Sequence, residues 1–290
     1  MEPSRSRAVL HLSRGWFAAG SGLAAWPPFA YVAGTMSKHA ETNLTKLPSR
    51  APAEFHKGHT LRELKRIRQE LIELQYRLYA ENRRSVLVIL QGMDASGKDG
   101  LIRRVFSGIN PQGVQVHSFK EPTEEELAHD FLWRVHQRAP RHGMMQVFNR
   151  SHYEDVLITR VAGLVPTKEA HRRFGAINSF EELLQQAGTT VLKFYLHVSE
   201  TEQRERLLER TTDPDKQWKY QAGDEAKALQ WPKYRAVYED VFRHCSPTSC
   251  PWHLVPADQN WYKAYVVART LRDTLLKMDL QLPAPKATRG

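Results

Sequence analysis

The sequence predicts an α/β fold, a three-layer α/β/α sandwich around a parallel central sheet. Three observations predict it. Short β-rich runs alternate with helical segments from residue 60 onward, so the strands are joined by crossovers and a helical layer covers each face of the sheet. One strand runs straight into a glycine-rich loop that opens a helix. No internal repeat and no Gly/Pro-rich linker follows residue 58, and 290 residues are enough for one large domain with a substantial core.

Strands are expected at 85–91 (SVLVILQ), 114–118, 144–148, 191–197 and 252–256. Helices are expected at 98–107, 123–137, 151–162, 168–187, 200–211, 224–244 and 260–279. A further helix opens at Thr60, where Glu63 completes a capping box. Leu64, Ile67, Leu71, Leu74 and Leu78 then form one apolar stripe, expected to pack on the sheet, with a dimer contact as the alternative. The same box recurs at Thr123 with Glu126, Ser151 with Glu154 and Ser199 with Glu202.

Residues 1–58 read differently and are expected to be a mostly disordered extension, with the domain at 59–290. Arg5, Arg7 and Arg14 precede a weakly apolar 16–25 stretch in the manner of a targeting peptide, but Gly20 and Ser21 break the run. Met36 is an alternative start, which would leave residues 1–35 outside the native protein.

The net charge is +10, and the extension carries seven Lys and Arg against three Glu, so +6 belongs to the rest. Such a field favours polyanions: nucleic acid, an acidic surface or phosphate compounds. No run of eighteen apolar residues occurs, so no membrane partner is expected. The two cysteines, Cys245 and Cys250, fit reduced thiols in the cytoplasm better than a disulfide framework or a structural zinc site. The histidines show no HExxH or HxxxH pair.

The chemistry concentrates after the strand 85–91, in Gly92-Met93-Asp94-Ala95-Ser96-Gly97-Lys98-Asp99-Gly100. Glycines let backbone amides turn inward around a phosphate, the helix presents its positive end, and Lys98 reaches the terminal phosphates. Ala95 and Ser96 keep the loop open. The usual Ser or Thr after the lysine is replaced by Asp99, so the metal falls to Asp94, directly or through water, with Asp99 as the lesser candidate. A ligand-free glycine turn is the bland alternative.

The strand 144–148 leads into Asn149-Arg150-Ser151. Asn149 stands where an acidic residue is usual, and can hold water or bond a ligand oxygen, while Arg150 can grip a phosphate with both arms. Glu154 reads first as the cap partner of Ser151. Arg103, Lys120, Arg204, Arg206 and Arg210 extend the basic surface, and segment 199–224 reads as a lid.

GMDASGKDG (92–100), Gly108–Gly113, SFKEPTEEELAHDFLWR (118–134), FNRSHYEDV (148–156) and PWHLVPADQNWYKAYVVAR (251–269) together resemble the type 2 polyphosphate kinases, over about residues 59–283. The resemblance implies a P-loop kinase fold with a helical lid, and magnesium-dependent transfer between inorganic polyphosphate and nucleoside mono- and diphosphates. It implies Asp94 near magnesium (manganese as the alternative), Lys98 on the transferred phosphate, Arg150 as a phosphate contact and lid duties for Arg204, Arg206 or Arg210. Many relatives have Asp-Arg-Ser where this chain has Asn149-Arg150-Ser151, which removes a second carboxylate. The FNRSHYED form resembles the subgroup that accepts both AMP and ADP. A homo-oligomer, dimer or tetramer, is also expected. The rival readings are an ATP-dependent nucleoside or nucleoside-monophosphate kinase, and a basic nucleic-acid-binding protein; no nucleic-acid motif stands out, so nucleic acid is not an expected partner.

Overall fold

The computed structural model describes residues 34–36, 42–219 and 230–284. Expectations for residues 1–33, for the targeting-like stretch and for the end of the lid at 220–224 lie outside the described residues.

A central strand must be buried on both faces, and the apolar run β2 (Ser85–Gln91) is buried at every position. It lies between β5 (Thr189–His197) and β4 (Met145–Asn149), parallel to both. β3 (Val114–Ser118) pairs with β4, and β6 (Trp252–Pro256) with β5, again in parallel. β3 carries exposed positions, as an edge strand can. The order across the sheet is β1-β6-β5-β2-β4-β3. β1 (Gly34–Met36) is the antiparallel exception, pairing with Trp252–Leu254.

That strand corrects the expectation for the extension. Residues 42–58 are also tied down: Leu44 is buried and Phe55 packs edge-on against Tyr262, 5.0 Å between ring centres. Ser49 Oγ donates to Asp258 Oδ2 at 2.8 Å. The ordered body therefore starts well before residue 59.

The first long helix, α1 (Lys57–Glu81), begins before the expected Thr60. Thr60 is buried inside it, its hydroxyl donating to the His56 carbonyl, so the Thr60–Glu63 box does not form. Leu64, Ile67, Leu71 and Leu78 are buried as the stripe predicts, with Leu74 partly buried. Their chief neighbour is the last helix, α9 (Asn260–Lys277), and not the sheet; Arg272 Nη1 to Glu70 Oε2 at 2.7 Å closes the contact.

Between the two lie α2 (Lys98–Phe106), α3 (Glu124–Leu127), α4 (Trp133–His136), α5 (Ile158–Val161), α6 (Thr167–Gln186), α7 (Glu200–Thr212) and α8 (Trp231–His244). The expected helix 123–137 is two short helices: the Thr123–Glu126 box forms, but the helix ends at Ala128. The expected 151–162 helix is a 3-10 turn, His152–Val156, then α5; Leu157 leaves helical geometry at φ −108°, ψ −83°. α8 starts with a proline in its first turn, where a missing N–H is harmless. No helix among the described residues is long and apolar enough to cross a membrane.

Candidate active site

All five parallel strands end at one edge of the sheet, the edge where α/β folds place ligands. β2 delivers Gly92, whose φ of 153° and whose 2.9 Å clearance to the Leu196 carbonyl leave no place for a side chain. The loop turns through Ala95 (φ 59°) and Gly97 (φ 87°) into α2. Ser96 is buried in the turn, its N–H donating to the Met93 carbonyl at 3.1 Å.

Lys98 is half-buried at the first turn of α2. Its ammonium donates to the Gly92 carbonyl at 2.8 Å and the Met93 carbonyl at 3.3 Å, and so stays within the loop. Burial and the neighbouring Arg150 bring its pKa down to about 8, against the pull of Asp94.

Arg150 reaches the same place from the end of β4. Its backbone is left-handed (φ 63°), uncommon for a residue with a side chain, and its N–H bonds the Leu90 carbonyl at 3.0 Å. The guanidinium donates to Asp94 Oδ1 at 2.8 Å. Glu154 completes the group: burial raises its carboxyl pKa, Arg150 and Lys98 oppose the rise, and the Asp94 charge adds to it. Two carboxylates that repel one another beside a phosphate loop are a hard oxygen donor set, so these residues fit a magnesium ion. The Ser151–Glu154 box is therefore only half made. Ser151 Oγ caps the Tyr153 N–H at 3.2 Å, whereas the Glu154 carboxylate turns to Gln91 and the cations.

The Asn149 amide donates to Asp99 Oδ1 at 2.8 Å and Ser118 Oγ at 3.3 Å, tying β4, α2 and β3 together. Arg103 and Lys120 are exposed, with no contact to the loop described for either. Arg204 is exposed and pairs with Glu200 at 2.5 Å, and Arg210 is half-buried on α7.

Arg206 is held differently from Arg204. It donates to Ala95 O at 3.1 Å, Ser96 O at 3.2 Å, Ala257 O at 3.0 Å, Asp258 O at 2.6 Å and Glu202 Oε1 at 2.9 Å. A guanidinium has five N–H donors, and these five bonds engage them, so Arg206 clamps the loop to the end of β6. Gln203, one helical turn earlier, donates to the Asp94 carbonyl at 2.9 Å and accepts from Trp231 Nε1. Lys263 of α9 donates to the Ser96 carbonyl at 2.7 Å. Glu154, Gln203 and Lys263 were not among the expected site residues.

Beneath the 150–155 turn lies a buried polar knot. Lys193 donates to Glu181 Oε2 at 2.6 Å and to the Cys245 carbonyl at 2.8 Å, and the Tyr153 hydroxyl donates to Glu181 Oε1 at 2.8 Å. Burial alone would raise the Glu181 carboxyl pKa, but Lys193 and His152 hold it below the usual range. His171, Asp240 and His244 also converge, a grouping their spacing does not show. Arg160 Nη1 takes Asp240 Oδ2 at 2.7 Å, and His244 Nδ1 lies 2.9 Å from the Asp240 carbonyl, so the group reads as an ion-pair knot.

The polyphosphate kinase 2 family matches residues 54–283. The chain is 49% identical over 233 residues to an AMP/ADP-polyphosphate phosphotransferase of Meiothermus ruber, covering 80% of this chain and 87% of that protein. It is 41% identical to an ADP-polyphosphate phosphotransferase of Rhodopseudomonas palustris, covering 84% of this chain and 89% of that one. The crystal structure of polyphosphate kinase 2 from Arthrobacter aurescens superposes with a TM-score of 0.83 at 39% identity, covering 87% and 91% of the two chains. With a glycine-rich loop at the tip of the central strand and this match over residues 54–283, the chain belongs to the polyphosphate kinase 2 family.

Proposed function

We propose that the chain transfers a phosphoryl group between inorganic polyphosphate and a nucleotide, with AMP and ADP both accepted. The observation that carries the reading is the convergence of Lys98, Arg150, Asp94 and Glu154 on one phosphate loop, in a chain whose similar proteins are named for that transfer.

Phosphoryl transfer asks the protein for alignment and for positive charge around the equatorial oxygens, with little covalent help. The amides of 95–98 and the start of α2 cradle a phosphate, Lys98 leaves its carbonyls to bind the transferred group, and Arg150 exchanges Asp94 for phosphate oxygens. A nucleotide phosphate is already an ionised nucleophile, so transfer is direct and uses no phosphoenzyme and no general base. Magnesium, or manganese in its place, would be held by Asp94 with Glu154 and would neutralise charge on the phosphates. Gly92, Ala95, Ser96 and Gly97 shape the cradle, and Asp99 with Asn149 braces its far side.

Arg103, Lys120, Arg204 and Arg210 are assigned to the polymer, with α7 acting in a lid. Arg206 anchors that lid to the loop. We place the protein in the cytoplasm and as a homo-oligomer, on the free buried cysteines for the first and on the resemblance for the second.

Incubation with long-chain polyphosphate, magnesium and each nucleotide in turn, read by chromatography, tests the reading. AMP should yield ADP and ADP should yield ATP only when polymer is present. Phosphorylation that proceeds equally with ATP as sole donor would replace this reading with a nucleoside-monophosphate kinase.

A further inference from the structure

Lys263 is out of place by ordinary rules. It is fully buried, and it sits in the first turn of α9, where the helix dipole disfavours a cation. Among the described residues no carboxylate pairs with it. The charges around it are mostly of its own sign: Arg206, Arg104 and Lys98 oppose its ionisation, and only Glu202, already paired with Arg206, favours it. Burial and these neighbours bring its pKa down to about 7. An ammonium in such a place costs stability, and hydrophobic packing there would be the better structural solution.

What it does touch is specific. Its Nζ donates to the Ser96 carbonyl at 2.7 Å, and a Cβ on Gly97 would lie 2.3 Å from the same nitrogen. In a trans peptide the carbonyl and the following N–H point to opposite sides, and the described chain has no cis peptide. Pinning the Ser96 carbonyl toward α9 therefore turns the Gly97 N–H the other way. Arg206 pins the Ala95 and Ser96 carbonyls from the same side.

We propose that Lys263 is a positioning residue for phosphate binding, fixing the Ser96–Gly97 peptide and holding positive charge behind the loop. The inference rests on the reading of that loop as a phosphate site. A site built from like charges is unfavourable in the bare protein and becomes favourable when an anion enters the loop. Lys263 touches no reacting atom; it acts through Ser96 and Gly97.

Lys263→Met, which keeps length and removes charge and donor, and Lys263→Gln, which keeps a donor without charge, test it in the full chain. The readouts are thermal melting, KM and kcat for polyphosphate with ADP, and calorimetric affinity for tripolyphosphate. Lys263→Met should melt at or above the wild-type temperature. Its KM for polyphosphate should rise about tenfold and its tripolyphosphate affinity fall about as much, with kcat changed less than about threefold. Lys263→Gln should fall between, and it carries the test if the Met variant does not fold. A folded variant with wild-type KM and tripolyphosphate affinity overturns the inference, as does a loss confined to kcat. A wild-type chain that transfers no phosphate sinks the functional reading instead, while tripolyphosphate binding still reads Lys263 separately.

Discussion

Two lysines meet the phosphate loop, one from within and one from behind, and they should fail differently. Lys98→Ala removes a cation from the developing charge and should lower kcat by about a hundredfold or more. Near-normal turnover in that variant would refute its role. Asp94→Asn should weaken activity less severely, with part recovered by added magnesium, measured as a magnesium titration of rate. Loss of the Lys98 proton should also define an alkaline limb, activity falling as pH rises past about 8. Lys263 carries a stability signature of opposite sense. Its folded pKa of about 7 lies below the ordinary lysine value of 10.5, so the unfolded chain binds more protons between those values. Stability from this group therefore improves as pH rises through that window. The melting advantage of Lys263→Met over wild type should shrink from pH 7 to pH 10; a constant difference would contradict the burial argument. The sequence singles out Lys98 and Asp94 through a strand, a glycine loop and a fixed spacing, and Arg150 through its place just after the companion strand. It does not single out Lys263, since its partner Ser96 lies 167 residues away in sequence. Glu154 was masked by its own local pattern: Ser-x-x-Glu reads as a cap, and only the fold shows the carboxylate facing Arg150 and Lys98.

At the scale of elements, α7 and the 150–155 turn position the site through unlike devices. α7 holds the loop through Arg206 and Gln203, whose bonds go mainly to backbone carbonyls. Arg206→Ala strands those acceptors and should cost about 2–3 kcal/mol, seen as a clear fall in melting temperature. Arg204→Ala, on the exposed face, should stay within about 0.5 kcal/mol. Equal losses would argue against the clamp. The 150–155 turn rests on the buried Lys193–Glu181 pair, and Lys193→Met should cost about 3–5 kcal/mol by leaving Glu181 without its partner. Sequence pattern located most of these elements, because apolar periodicity reports burial directly. It erred where tertiary contact decides. Thr60 met a helix that starts three residues earlier, and 123–137 was split because its first helix is capped at Ala128. Arg206 and Arg210 look equivalent as two charges on one helix face. Which points inward is set by the end of β6, not by spacing.

For the molecule as a whole, alternating strands and helices made the parallel α/β sandwich legible, since each crossover must cover a face of the sheet. The order of the strands was not, and neither was β1, whose three residues carry no pattern and gain their partner only in β6. The basic excess acts at this scale too. A polymer bound along Arg103, Lys120, Arg204 and Arg210 should show a KM that rises more steeply with ionic strength than the KM for ADP, because exposed charges are screened over about 10 Å at 0.1 M salt. The most direct test remains the donor. ADP with long-chain polyphosphate and magnesium should give ATP in proportion to enzyme, and omission of the polymer should abolish it. ATP formation that ignores the polymer, or none with it under any nucleotide, would contradict the account.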